Sequence, residues 1–561
     1  MVTGESRAGP IPESPAARFA RWLVFLGPLA VAAVVVMVVW PGLMPDVGYW
    51  DTGEFQTILP LMGTAHPTGY PTYVLLGWFA SLILAPFGEP AYRINILSLL
   101  CVAFAAGATV HLVARLTNRT IIAMAAGVGV ALAPSTWRLA THADPHTLHL
   151  ALVAVLFVLL VRWEQTRAAG APTADRWLVL ATLVFGLAVG NHSLTLLLAA
   201  PVGLYVLSVE PRILRRPRFV AGLALVLVGT MAAVYLELPL RAGPFRAPLV
   251  YAKPDTWDGF WYIALAEQFR GSVHDPLGDL PGKLSGLATL TVNQFGILAP
   301  LIPVAFLATV MRHWRYALLT GSAMVITLTF NASYSNADIS RYYLGPTLWA
   351  WTWLGVLAAL VIEQAAGVLP EEPAAQIAGT IAGAMPLRPD TEPRAVQKDP
   401  SRPGGFATPG GRGTPGRQAI ALLLAGILLV PTVTDFSRRA ELANSSHDTA
   451  ARRWVTAVVT DVEPDAVIVS WWSTSTVLWY AQYIDHLRPD ITVVDDRTRL
   501  DLNYGEATDV IARFLGSRPV YVIRANAFDL QLVRNVFDLE PSADPAARGL
   551  FRVIGVRKTD G

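Results

Sequence analysis

The chain has 561 residues, 53% of them hydrophobic and only 15% charged, with 17 tryptophans and a mean hydropathy of +0.45. Ordinary soluble domains carry about 25% charged residues, so this composition excludes a soluble globular protein and points to an integral membrane protein. A formal net charge of +2 with no groove of interleaved basic and aromatic residues excludes nucleic acid, and the single Cys101 excludes a disulfide framework or a thiolate metal site.

A polar tail over 1–21, with Arg7, Arg18 and Arg21, precedes an apolar run over 22–40. That run is too long for a signal-peptide core and lacks a small-residue cleavage site, so it reads as a retained first span with a cytoplasmic N-terminus. Further spans are expected at 94–114, 120–134, 147–162, 177–190, 193–208, 219–238, 287–310, 316–330, 346–362 and 418–433, about eleven in all. With that count the arginines at 115, 119, 162, 167, 176, 212, 215, 216, 218, 312 and 315 all fall on the cytoplasmic side. The apolar segment 71–87 must then lie in the interface or re-enter, because a crossing there would invert every later loop. The first outer loop is 41–93.

Residues 363–417 are rich in Pro, Gly and Ala and read as a flexible cytoplasmic linker. Residues 434–561 change character again. The β-rich runs 466–470, 491–494 and 520–523 alternate with helical patterns, predicting a small extracytoplasmic α/β domain. The expected fold is therefore mostly α and polytopic, with residues 22–362 as the membrane module.

The unusual polar residues collect on the predicted outer side. Directly after the first span comes Y-W-D-T-G-E-F-Q, with Asp51 and Glu54 three apart. On one helical turn they share a face and could divide the roles of base and orienting partner; equally, D-T-G-E has the form of a helix capping box. In T-H-A-D-P-H-T-L-H, Asp144 stands among His142, His146 and His149, spaced either for one metal or simply for hydrogen bonding. Gly190-Asn191-His192-Ser193 interrupts an apolar segment. Arg241 and Arg341 sit at predicted span ends, where a guanidinium suits a phosphate group or snorkels to lipid headgroups.

Taken in order, D-[ST]-G-E, A-H-P-x-G-Y-P, R-x-N-x-x-S, G-N-H, L-P-L-R, E-Q-F and R-Y-Y-x-x-P resemble the transmembrane glycosyltransferase-like family of the GT-C superfamily. That family includes the animal protein O-mannosyltransferase acting on plexin-type receptors. The similarity runs from about Trp40 to Pro346 and more loosely into the C-terminal domain, at V-S-W-W-S-T-S-T-V-L-W-Y-A-Q-Y.

The resemblance implies that Asp51 is the catalytic base and Glu54 the second carboxylate. His66, Tyr70, Arg93, Asp144, His146, His192, Gln268 and Tyr342 fall on substrate-binding motif positions, and Arg241 and Arg341 would stabilise a departing phosphate. Thr68 stands where the family has proline, Asp144 where it has glutamate, and His146 and His149 where it has Tyr and Asn. The implied reaction moves a hexose, with mannose as the best match, from a polyprenyl-phosphate donor in the membrane lipid to an extracytoplasmic protein or glycan acceptor, with inversion. No metal ligand is assigned and a divalent metal is optional. A transporter or flippase of lipid-linked sugars and a non-catalytic scaffold remain as alternatives.

Overall fold

The computed structural model describes residues 15–335, 338–368 and 415–558. Most of the expected tail (1–14) and most of the expected linker (369–414) lie outside these residues. Among the described residues, seven helical segments are long and apolar enough to cross a membrane: 24–42, 90–117, 145–168, 217–242, 280–312, 339–365 and 416–434. Each coincides with an expected span, and the chain is a multi-pass membrane protein. The other four expected spans fall on Thr120–Ala131, Asp175–Asn191, a broken segment from Ser193 to Val209, and Trp314–Ser333, none of which meets that standard.

The helix starts follow local chemistry. Pro71, Pro90, Pro145 and Pro217 occupy first helical positions, where the missing N–H costs nothing. Asn118, in the left-handed region, ends Pro90–Thr117. Pro90–Thr117 packs on Pro15–Val39, Thr120–Ala131 and Pro145–Ala168. Around them Phe157, Trp163, Tyr316, Trp349 and Trp351 form a continuous core. Pro71–Ile83 has 13 residues, about 20 Å of helix against a hydrocarbon core of about 30 Å. Leu344–Val368 runs past the expected boundary at 362, and Pro415–Thr434 begins before 418.

The C-terminal domain holds a five-stranded sheet: β1 Val467–Val469, β2 Thr492–Val494, β3 Val520–Val522, β4 Phe537–Pro541 and β5 Phe551–Val556, in the order β2-β1-β3-β5-β4. β1 runs parallel to β2 and β3, and β5 runs antiparallel to β3 and β4. The three expected strands are the parallel ones. Helices cover both faces of these strands, so their sequences are almost wholly apolar: Ile468 and Tyr521 pack into one core, Val467, Val469, Val520 and Val522 into the other.

This domain is welded to the membrane module. Val47 and Ala91 are buried in the same core as Trp454, Val458 and Ile468. Tyr480 Oη accepts the Ala91 N–H at 3.1 Å, and Arg452 donates Nε to the Asp46 carboxylate at 2.9 and 3.0 Å while also pairing with Asp485.

Candidate functional site

The site is organised by the helix Trp50–Leu61, whose residues Gly53 to Leu59 are buried. It lies against Trp472–Tyr483 of the C-terminal domain on one side and Pro71–Ile83 on another. Gly53 explains the glycine of D-T-G-E: a Cβ there would stand 2.2 Å from the Gly48 carbonyl oxygen and 2.9 Å from Thr476 Oγ1. Gly77 plays the reciprocal part, since a Cβ would fall 1.9 Å from Leu59 Cδ2.

A knot of buried amides fixes this helix to the rest of the membrane module. Gln56 Nε2 donates to Asn95 Oδ1 at 2.9 Å, Gln56 Oε1 accepts the Gly48 N–H at 2.7 Å, and Asn95 bridges the Ala143 N–H and the Met44 carbonyl. All of these groups are satisfied, the condition under which a buried polar network rigidifies a fold. Sequence reasoning missed Gln56, although a lone amide in F-Q-T-I-L-P-L is the signal that could have found it.

The capping-box expectation for Asp51 and Glu54 is corrected. The helix N-cap is Tyr49, with no side-chain cap, and both acids lie inside the helix, each turned to a different cation. Asp51 Oδ2 accepts from Arg341 Nη1 at 2.6 Å. Glu54, 1% exposed, accepts the His66 backbone N–H at 2.9 Å and pairs with His66 Nδ1. Burial alone would lower the His66 pKa, but the adjoining Glu54 carboxylate more than reverses this and raises it.

Arg341 lies in the tight turn Ile339–Tyr343 and gathers acids from three parts of the chain. Besides Asp51, its guanidinium is 3.8 Å from Asp144 Oδ2 and 3.5 Å from Asp338 Oδ2, and Asp338 also accepts from Arg138 at 2.8 Å. Asp144 caps Pro145–Ala168: its Oδ1 accepts from the His146 backbone N–H and from Nδ1, each at 2.8 Å. Burial opposes the Asp144 charge, yet His146 and Arg341 hold the carboxyl well below its ordinary range. Sequence reading missed Arg138 and Asp338; Asp338 precedes Arg341 by one helical repeat.

Rings close the space around these charges. Tyr70 meets His66 at 5.2 Å and His192 at 5.3 Å, and His146 meets His192 at 4.9 Å and Tyr342 at 5.3 Å. A pocket opens beside them, bounded by His146, Asn331 and Arg341 and by the apolar Leu194, Leu197 and Trp349. His146 Nε2, Asn331 Oδ1 and Arg341 Nε are buried there without hydrogen-bond partners. The pocket thus combines unsatisfied polar atoms with apolar side chains.

Other expected residues are engaged by the protein itself. Arg241 donates to the Met62 and Leu61 carbonyls at 2.7 and 3.0 Å, closing the C-terminal end of the Trp50–Leu61 helix. Arg93 donates Nε to the Gly88 carbonyl and Nη1 to the Ser81 carbonyl, bracing the turn before its own helix. Gln268 accepts from Tyr251 Oη at 2.7 Å. The histidines of 141–149 do not converge: His142 lies against Thr141 Oγ1, His146 on Asp144, and His149 against Thr195 Oγ1. Burial pushes His142 down to about 4. Among the described residues no group of three or more His, Cys, Asp or Glu is arranged to hold a metal ion.

Residues 51–213 match the family model described as the N-terminal domain of the protein O-mannosyl-transferase TMEM260. The resemblance read from the sequence holds. The mouse protein O-mannosyl-transferase TMEM260 is 30% identical over 267 residues, which cover 46% of this chain and 36% of the mouse protein. The chain thus matches about a third of that relative's length. In structure, the chain is similar to ArnT from Cupriavidus metallidurans in the apo state (TM-score 0.57, 13% identity, covering 96% of this chain and 98% of ArnT). It is also similar to ArnT bound to undecaprenyl phosphate (TM-score 0.54, 14% identity, covering 95% and 98%). The chain therefore has an ArnT-like fold.

Proposed function

We propose that this protein is a membrane glycosyltransferase that moves a hexose, mannose by the TMEM260 relationship, from a polyprenyl-phosphate donor to a Ser or Thr hydroxyl of a polypeptide, with inversion. The observation that carries this reading is the placement of Arg341. It pairs with Asp51 while its Nε, beside His146 Nε2, stands unpartnered in a pocket with an apolar wall. A lipid phosphate matches both halves: its oxygens meet the free Arg341 Nε–H, its prenyl chain the apolar residues. The similarity to ArnT, solved with undecaprenyl phosphate, supports the same donor class.

In the proposed reaction the donor phosphate takes Arg341 from Asp51 and frees the carboxylate to act as base. The acceptor oxygen attacks the anomeric carbon, the carbon–oxygen bond to phosphate breaks, the electron pair leaves with the phosphate, and Asp51 takes the hydroxyl proton. Arg341 offsets the charge growing on the departing phosphate. Glu54 holds His66 in place behind them. Arg241 acts through the helix it closes. On this reading residues 41–93 and the domain 434–561 face the extracytoplasmic side, the N-terminus faces the cytoplasm, and 363–417 links the module 22–362 to the last helix at 418–433.

The test is transfer of radiolabelled mannose from polyprenyl-phosphate mannose to secreted or membrane polypeptides by purified protein. Asp51→Asn should lower kcat by roughly 10²–10⁴, the contribution of a positioned base. Equal transfer by wild type and Asp51→Asn removes Asp51 from the chemistry, and no transfer from any polyprenyl-phosphate sugar removes the reading.

A further inference from the structure

A second pocket lies where the membrane module meets the C-terminal domain, bounded by Glu54, Thr64, Tyr251, Asp495, Arg497 and Asp501. Its walls are tied together. Thr64 Oγ1 accepts the Tyr251 N–H at 2.6 Å, Asp501 Oδ2 accepts the Ala252 N–H at 3.1 Å, and Arg497 pairs with Asp501 while lying 4.6 Å from the Tyr262 ring centroid.

Two atoms in this built setting have no partner. Asp495 is 1% exposed; its Oδ1 accepts the Thr498 N–H at 2.7 Å, but Oδ2 is buried and unpaired. Arg497 Nε is likewise buried and unpaired. Leaving such groups unmet costs on the order of 1–3 kcal/mol each, so a pocket whose lining keeps one free acceptor and one free donor is matched to a ligand offering the converse pair. A peptide unit does so, with its N–H and C=O. The surrounding charge points the same way. Arg497 is already paired with Asp501, and Glu54 with His66, so the cation in this lining is taken, which disfavours an anion and separates this pocket from the one at Arg341.

Resting on the transferase reading, we propose that this pocket is the acceptor subsite: Asp495 Oδ2 accepts a backbone N–H of the acceptor polypeptide and Arg497 Nε donates to a neighbouring carbonyl. Glu54 forms its inner wall, and Asp51 lies one helical turn earlier on the same helix. A Ser or Thr side chain on a peptide held there is directed toward the base. Gln268 is then a positioning residue, since it holds the Tyr251 hydroxyl.

The experiment uses full-length protein, polyprenyl-phosphate mannose, a blocked Ser/Thr-containing peptide, and its ester analogue lacking one backbone N–H. Asp495→Asn is isosteric: its oxygen can keep the Thr498 contact while an NH₂ replaces the free acceptor. Arg497→Lys keeps the charge beside Asp501 and removes Nε–H. Each variant should raise the peptide KM about tenfold, one hydrogen bond's worth, with the donor KM unchanged. The ester analogue should lose affinity in wild type and show no further loss in Asp495→Asn. An unchanged peptide KM in both variants, or donor and peptide KM rising together, overturns the subsite. If wild type releases mannose to water but never to peptide, the peptide assignment is wrong. If it consumes no polyprenyl-phosphate sugar, the transferase reading fails and takes the subsite with it.

Discussion

At the scale of single residues, Arg341 holds two carboxylates that would otherwise repel each other in a poorly solvated place. Replacing it by Gln leaves Asp51 and Asp144 without their shared counter-ion, and breaking a buried pair from one side costs about 3–5 kcal/mol. Arg341→Gln should therefore lower Tm sharply, and adding Asp51→Asn should restore part of the loss. Simple additivity of the two substitutions in thermal denaturation would show that the pair is not coupled. The Glu54–His66 pair carries a pH signature. Because the folded His66 pKa is raised, its stabilisation is complete below the unfolded value of about 6.5 and fades as pH climbs through the folded value. The Tm advantage of wild type over His66→Gln should accordingly shrink as the buffer is moved from about pH 6 to about pH 9; an advantage that grows over that range would reverse the assignment.

At the scale of elements, the Trp50–Leu61 helix depends on close approach to its neighbours. Gly53→Ala should cost about 1–3 kcal/mol through overpacking and weaken the proposed sugar transfer by tilting Asp51 away from Arg341. Thr476→Gly should not rescue it, because the nearer obstacle is the backbone oxygen of Gly48. Loss of neither stability nor transfer in Gly53→Ala, measured by Tm and by rate, would contradict the packing.

Much of this helix was legible beforehand. Two acids flanked by apolar residues and followed by A-H-P-T-G-Y stand out by type, and long apolar runs announce themselves by length. Their partners were less visible. Asp51 meets a residue 290 positions away, a pairing that spacing along one helix cannot express, so the same D-T-G-E fitted a local cap equally well. Arg241 and Arg341 looked alike because both are span-end arginines, yet one closes a helix through carbonyls and the other gathers acids. β4 and β5 escaped because the antiparallel part of the sheet leaves several of their residues exposed, which breaks the apolar run that betrayed the parallel strands.

At the scale of the whole molecule, the C-terminal domain and the Asp51 loop sit at one end of the helical bundle. The lone native thiol, Cys101, is buried, so an introduced cysteine can be read against a quiet background. Cysteines at Glu506 and Gly88 should react with an impermeant reagent from the same side of sealed membranes, and one at Arg216 only from the other. Labelling of Glu506 and Gly88 from opposite sides would be incompatible with the fold.

The contact between Thr57 and Thr476 spans 419 positions of chain. A ribosome adding about 5–20 residues per second needs roughly 20–80 s to travel that distance. Throughout that interval the first loop waits in the membrane with its acids made and the wall they lean on not yet synthesised. Products ending early would insert their helices and still lack a formed centre. On the proposed reading, the order of synthesis thus withholds transfer activity until the final domain has emerged, folded and closed over the loop.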